Sequence, residues 1–186
     1  MTTHYTNTQR GFTLVETLVA IFIFASSIVV MLTVTSGGIS EVSVLRNKIT
    51  ASYLAQEGIE LVRNSRDRNI LNEQNASLGW QQFIAETGAC QSSVGCNFSL
   101  LPGPTPSILA CSTSPNDPCQ IAAGISSNVY VPETLNSLQL NPTIFHRKIT
   151  ITPTATSEEA QATVVVTWQQ GLSTQSITLE EYLYSW

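Results

Sequence analysis

The chain has 186 residues, only 11% of them charged, and its excess of acids over Lys and Arg leaves it at −5. Ordinary domains carry charge on about a quarter of their residues; here Ser, Thr, Asn and Gln fill the difference, which suits a secreted surface better than a cytosolic one. The acidic balance argues against broad phosphate-backbone binding, and the length allows one modest domain beyond any membrane segment.

Met1 to Gln9 is polar and is followed by Arg10. From Gly11 to Val34 the chain is apolar except for Glu16, and no ionisable side chain occurs from Thr17 to Ser40. About 20 such residues cross the hydrocarbon core as a helix. Two ordinary readings fit. A secretory signal would be cut after the run, where Ser36-Gly37-Gly38 supplies small residues, although the run is long for such a signal. A single-pass anchor with Arg10 inside satisfies the positive-inside rule equally well. Neither explains Glu16. A carboxylate at mid-membrane costs roughly 2.5–3.5 kcal/mol, and one near the interface still wants a partner.

Arg10-Gly11-Phe12-Thr13-Leu14-Val15-Glu16 with its apolar continuation resembles the processing motif of type IV pilins, including the pseudopilins of type II secretion. The resemblance implies that a prepilin peptidase cuts between Gly11 and Phe12 on the cytoplasmic side and methylates Phe12. It further implies a single-pass precursor in a bacterial inner membrane, with the N-terminus cytoplasmic and the head outside. An inner-membrane assembly platform and its ATPase would then draw the subunit from the lipid bilayer into a filament of pilin or pseudopilin subunits, periplasmic or extracellular. Glu16 becomes the fifth residue of the cut chain. Its carboxylate can pair with the Phe12 amine of a neighbouring subunit, and removing one partner of such a buried pair costs roughly 3–5 kcal/mol. The pair would also fix the axial register of packed helices. The alternative uses of Glu16 are snorkelling to headgroups and helping to cap the helix start.

Helical spacing continues beyond Ser40. Val42, Leu45 and Ile49, then Ala51, Ala55, Ile59 and Val62, read as one apolar face, with Glu57, Glu60, Arg63, Arg66 and Asp67 outside. No proline interrupts a helix from Phe12 to Arg68, about 85 Å long. Gly37-Gly38 is its weakest point, since each Gly costs up to about 1 kcal/mol against Ala, and it offers a bend or a close helix contact. Acids interleave with the Arg63, Arg66 and Arg68 cluster, which reads as a solvated helix end with local ion pairs.

Past Asn69 the pattern fades. Trp80, Phe83 and Ile84 make a short amphipathic turn, and Thr87 to Pro142 is rich in Gly, Pro, Ser, Asn and Thr. Such a loop-rich stretch needs staples. Cys90, Cys96, Cys111 and Cys119 supply them in an oxidising compartment, and proximity favours Cys90–Cys96 with Cys111–Cys119. Crossed pairings such as Cys96–Cys111 stay open. The spacing is not that of a zinc site, and only His4 and His146 would assist, so neither a metal nor another cofactor is expected. Asp117, between Asn116 and Pro118, reads as a turn residue. Asn75 and Asn97 begin formal glycosylation sequons that a bacterial leader makes chance matches.

Three segments alternate at period two: Thr143–Thr152, Ala162–Trp168 and Ser176–Tyr184. Phe145, Ile149 and Ile151 share one face, as do Val164, Val166 and Trp168, and Ile177, Leu179 and Leu183. His146 followed by Arg147-Lys148 reads as solvent face. The expected fold is α+β, a long N-terminal helix packed on an antiparallel meander of about three strands. Its parts are a leader (1–11), a transmembrane and polymerisation helix (12–40), an amphipathic helix (41–68), a loop-rich disulfide region (69–142) and the sheet (143–186).

The leading functional expectation is a structural subunit, a minor pilin; the alternative is a type II secretion pseudopilin. An anchored enzyme lacks support, because no hydrolase elbow, HExxH or phosphate-binding loop is present. Within Glu158-Glu159 and Glu180-Glu181, side chains of adjacent strand residues point apart. A DNA-uptake pilin would rely on Arg147-Lys148 and the Arg63–Arg68 helix end, against eight acids after Asn69.

Overall fold

The computed structural model describes residues 11, 13–73, 75–99, 107–113, 117–124, 130–132, 140–154 and 158–186. The leader residues 1–10, among them His4 and Arg10, lie outside the described residues, as do Phe12 and Asn116. The chain divides into two units, Met1–Leu45 and Arg46–Trp186. A single α-helix, α1 (Leu14–Asn72), supplies residues to both. It runs through Gly37-Gly38 and ends four residues beyond Arg68.

In the first unit α1 is a bare apolar helix. Leu14–Thr35 is long and apolar enough to cross a membrane, and none of it is buried. Its hydroxyls are consistent with a dry environment: Thr17 donates to Leu14 O, Ser26 and Ser27 to Ile23 O, Thr33 to Val30 O and Thr35 to Met31 O. Bonded back onto the preceding turn, they leave no unsatisfied donor in hydrocarbon.

In the second unit α1 buries Ala51, Leu54, Ala55, Gly58, Ile59 and Val62. Val42, Leu45 and Ile49, read from sequence as the start of this face, are exposed. The geometry explains the correction, because at 3.6 residues per turn Ile49 and Ala51 lie about 200° apart and cannot share a face. Helix α2 (Ala76–Glu86) follows, opened by Asn75, whose side chain accepts the Ser77 N–H. Gly79, Trp80 and Phe83 are its buried residues, the two rings with centroids 5.5 Å apart. At its other end Glu86 accepts from Arg68 and from the Asn69 amide, tying the last turns of both helices.

A 3-10 turn (Thr87–Gln91) leads to the sheet, which among the described residues has seven strands rather than three. They are β1 (Cys96–Ser99), β2 (Ser107–Ala110), β3 (Gln120–Gly124), β4 (Tyr130–Pro132), β5 (Leu140–Pro153), β6 (Glu159–Gln170) and β7 (Ser173–Tyr184). The last three form the expected antiparallel meander, each longer than its alternating core. The first four lie inside the stretch read as loop-rich. They are three to five residues long, too short to show alternation above the surrounding Ser, Thr and Pro. At 14 residues β5 is long enough to share one edge between two partners: Leu140 to His146 pairs with β3, and Ile149 with β1. Its other edge holds β6.

The core lies between α1 and the inward faces of β5 and β6. Ala160, Ala162, Val164, Val166 and Trp168 alternate inward along β6, and Phe145, Ile149 and Ile151 along β5. Cys90 is bonded to Cys96 and Cys111 to Cys119, with Cα separations of 4.7 and 5.2 Å. In the chain-entropy account such short loops stabilise by about 2 kcal/mol each. The first bridge joins the 3-10 turn to β1 inside the core, where both residues are fully buried. Replacing Cys90 and Cys96 by Ser is therefore expected to cost more than the same change at Cys111 and Cys119, since it fully buries two hydroxyls where the other fully buries one, at Cys119. Urea unfolding of the two double variants checks the order.

Candidate processing and assembly site

The N-terminal motif opens α1. Thr13 precedes the first helical residue, and its Oγ1 accepts the Glu16 N–H at 3.3 Å. With Thr at the cap and Glu three residues on, the segment has the Thr-x-x-Glu form of a capping box. The carboxylate sits in the first helical turn, where the helix dipole favours negative charge. Glu16 is exposed, and among the described residues no hydrogen bond or ion pair engages its carboxylate. The backbone N–H of Glu16 serves the cap, and its carboxylate lies in the first turn. Gly11 is exposed, and a Cβ added there would meet nothing within 4 Å. The fold places no steric demand for glycine at that position.

The head residues considered for chemistry are engaged in structure. Cys111, Asp117 and Cys119 lie close enough to share an ion, but the two sulfurs are bonded to each other and offer no thiolate. Asp117 Oδ1 accepts the N–H groups of Ser112 and Cys119, closing the disulfide loop. Its Oδ2 is 2.7 Å from His146 Nε2, which fastens the loop to β5. No described cysteine is free. His146 therefore has an aspartate as its partner, not a nucleophile.

Arg147 corrects the reading of Arg147-Lys148 as solvent face. It shares the parity of Phe145 and Ile149, points inward, and is 2% exposed. Its Nε donates to Asn97 Oδ1 at 2.9 Å, Nη1 to Leu54 O at 3.2 Å and to Glu57 Oε2 at 3.0 Å, and Nη2 to Phe98 O at 3.4 Å. Burial pushes the guanidinium below its ordinary range, and Glu57 opposes that shift. One side chain thus joins α1, β1 and β5, and it is withdrawn from the patch a nucleic acid would contact. The period-two alternation of β5 carried the signal for this burial, which charge alone concealed.

The helix-end arginines have partners as well. Arg63 pairs with Glu181 of β7 at 2.7 Å and with Glu60, which raises its guanidinium further, chiefly through the Glu181 hydrogen bond. Arg66 pairs with Asp67 and Arg68 with Glu86.

Residues 6–32 match the family model of the prokaryotic N-terminal methylation motif. No curated protein and no solved structure matches the chain. The match is the prepilin-type signal of type IV pilins and pseudopilins, so the chain carries the N-terminal hallmark of that class. The motif points to a structural subunit, implies processing by a prepilin peptidase and assembly with other pilins, and fits an inner-membrane-anchored precursor.

Proposed function

We propose that this chain is a minor pilin, cut between Gly11 and Phe12, methylated on Phe12, and assembled into a type IV pilus-like filament through α1. The observation that carries the reading is the methylation motif at residues 6–32 leading into an apolar helix with no cover of its own. An α1 built this way needs lipid before assembly and neighbouring helices after it. Gly11 supports the cut site, because the fold itself does not require a glycine there. Glu16 would pair with the Phe12 amine of an adjacent subunit and set the axial offset. The two disulfides and the satisfied Asp117 loop suit a head exposed outside the cell.

Co-expression with a prepilin peptidase, followed by intact-mass and N-terminal analysis, tests the proposal. The expected product begins at methylated Phe12; a product starting near Ile39, or one still beginning at Met1, rejects it. In cells that assemble the filament, Glu16→Ala should lower the amount of this subunit recovered in sheared filaments at least tenfold while the membrane pool is unchanged. That loss corresponds to roughly half the cost of leaving a buried charge unpaired. Presence in surface filaments, rather than a requirement for protein secretion, separates the pilin from the pseudopilin reading.

A further inference from the structure

We propose that the free edge of β7 takes up an extended, cationic polypeptide segment by strand addition. β7 is hydrogen-bonded to β6 and, among the described residues, to no other strand. It is 12 residues long, and Ser173 to Ser176 are all exposed. Long edges are usually shortened, bulged, interrupted by proline or guarded by lysine. β7 has an unbroken register with β6 from Ser173 to Tyr184 and contains neither Pro nor Lys; its only charges are Glu180 and Glu181, which guard the edge against another acidic strand but not against a cationic one.

The turn decides which backbone groups the edge offers. Gly171 and Leu172 form a two-residue hairpin with Gly171 at φ 63°, so Gln170 and Ser173 close it as a hydrogen-bonded pair. Hydrogen-bonded and non-hydrogen-bonded pairs then alternate. The odd-numbered residues of β7 bond to β6, consistent with Ser185 N–H donating to Glu158 O just beyond the strand. Thr174, Ser176, Thr178, Glu180, Tyr182 and Tyr184 direct their N–H and C=O groups outward. Six consecutive sites of a ladder await a partner.

The side chains define that partner. Glu158, Glu159, Glu180 and Glu181 gather around the C-terminal half of β7, and among the described residues only Glu181 has an ion-pair partner, Arg63. Tyr182 is half-exposed on the same face as Glu180 and offers a π surface to a cation. On the opposite face Ile177 and Leu179 are part-buried against the core and would extend it under an added strand. An occupant with Lys or Arg alternating with β-branched apolar residues satisfies both faces. The described strands of this chain do not provide one: β5 holds Arg147 and Lys148 at the centre of the sheet. The occupant proposed here is a different chain, and the inference stands independently of which filament the protein enters.

The test uses the full chain in detergent micelles and a peptide of about nine residues alternating Lys and Val, against controls alternating Glu and Val or carrying a central Pro. Saturable binding of the Lys peptide, weakened by salt, with slowed amide exchange at Thr178, Glu180 and Tyr182, is expected. Glu180→Lys should weaken binding about tenfold, the scale of reversing one cross-strand charge pair. Thr178→Pro should abolish binding and leave the melting curve nearly unchanged, because only an outward N–H is lost. Equal binding of the Glu peptide, binding that survives Thr178→Pro, no binding, or self-association of the chain that Thr178→Pro abolishes would each overturn the proposal.

Discussion

Replacing Glu57 by Ala is expected to destabilise the head by about 3 kcal/mol, although Glu57 is half-exposed and its own contacts look dispensable. The cost arises at Arg147, which stays charged and buried after its counter-ion is gone. The value lies at the lower end for a broken buried pair because Asn97, Leu54 O and Phe98 O still accept from the guanidinium. Water reaching the vacated Glu57 position also screens it. Arg147→Met removes the cation and fills much of its volume, leaving three acceptors to find other donors. In that background Glu57→Ala should cost less than about 1 kcal/mol, a coupling of about 2 kcal/mol across the cycle. Urea unfolding of the four proteins in detergent, followed by near-ultraviolet dichroism, gives the comparison. If Glu57→Ala costs the same with and without Arg147, the pair does not carry the helix–sheet junction.

Arg147 also marks where sequence reasoning was sufficient and where it stopped. The rule that placed Phe145, Ile149 and Ile151 on one face of β5 placed Arg147 there too, and the charge of the side chain overrode it. On α1 the error ran the other way. Hydrophobicity alone joins Val42, Leu45 and Ile49 to Ala51, although two residues along a helix separate opposite faces. The long meander strands were legible because burial on one side imposes alternation over many residues. The short strands β1 to β4 were not, since each is held by a neighbouring strand rather than shown by its own pattern. Proximity favoured the cysteine pairs that the structure contains.

At the N-terminus the balance differs again. The methylation motif was legible because enzymes that read a sequence require particular residues at particular positions, and the apolar span because a bilayer requires length. The Thr13 cap was available in the same letters, as Thr-Leu-Val-Glu, and its hydrogen bond shows that one short stretch starts a helix while presenting a carboxylate. The Asp117–His146 contact had no comparable signal. It joins residues 29 apart, and Asp117 is held two residues from Cys119 of the Cys111–Cys119 bridge.

Gly79→Ala is expected to cost about 3 kcal/mol, even though alanine is the better helix former by about 1 kcal/mol. Gly79 lies in the first turns of α2 against the end of α1, and a Cβ there would come within 2.6 Å of Asn69 O and 2.7 Å of Ile70 Cα. Both are backbone atoms of a helix whose Asn69 carbonyl already accepts from Glu73 N–H, so the two helices must separate and loosen the buried Trp80 and Phe83. Gly58 is the informative contrast. Its Cβ would meet Val164 Cγ1 at 2.8 Å and Arg147 Cδ at 3.2 Å, both side-chain atoms. Gly58→Ala should therefore cost about 1–2 kcal/mol. Adding Val164→Ala to it should cost less than Val164→Ala alone, because the new methyl occupies space the valine vacates. No side-chain truncation should rescue Gly79→Ala in this way. Equilibrium unfolding of the single and double variants distinguishes the sites, and a Gly79→Ala protein as stable as the parent would show that the helices have room that the packing denies.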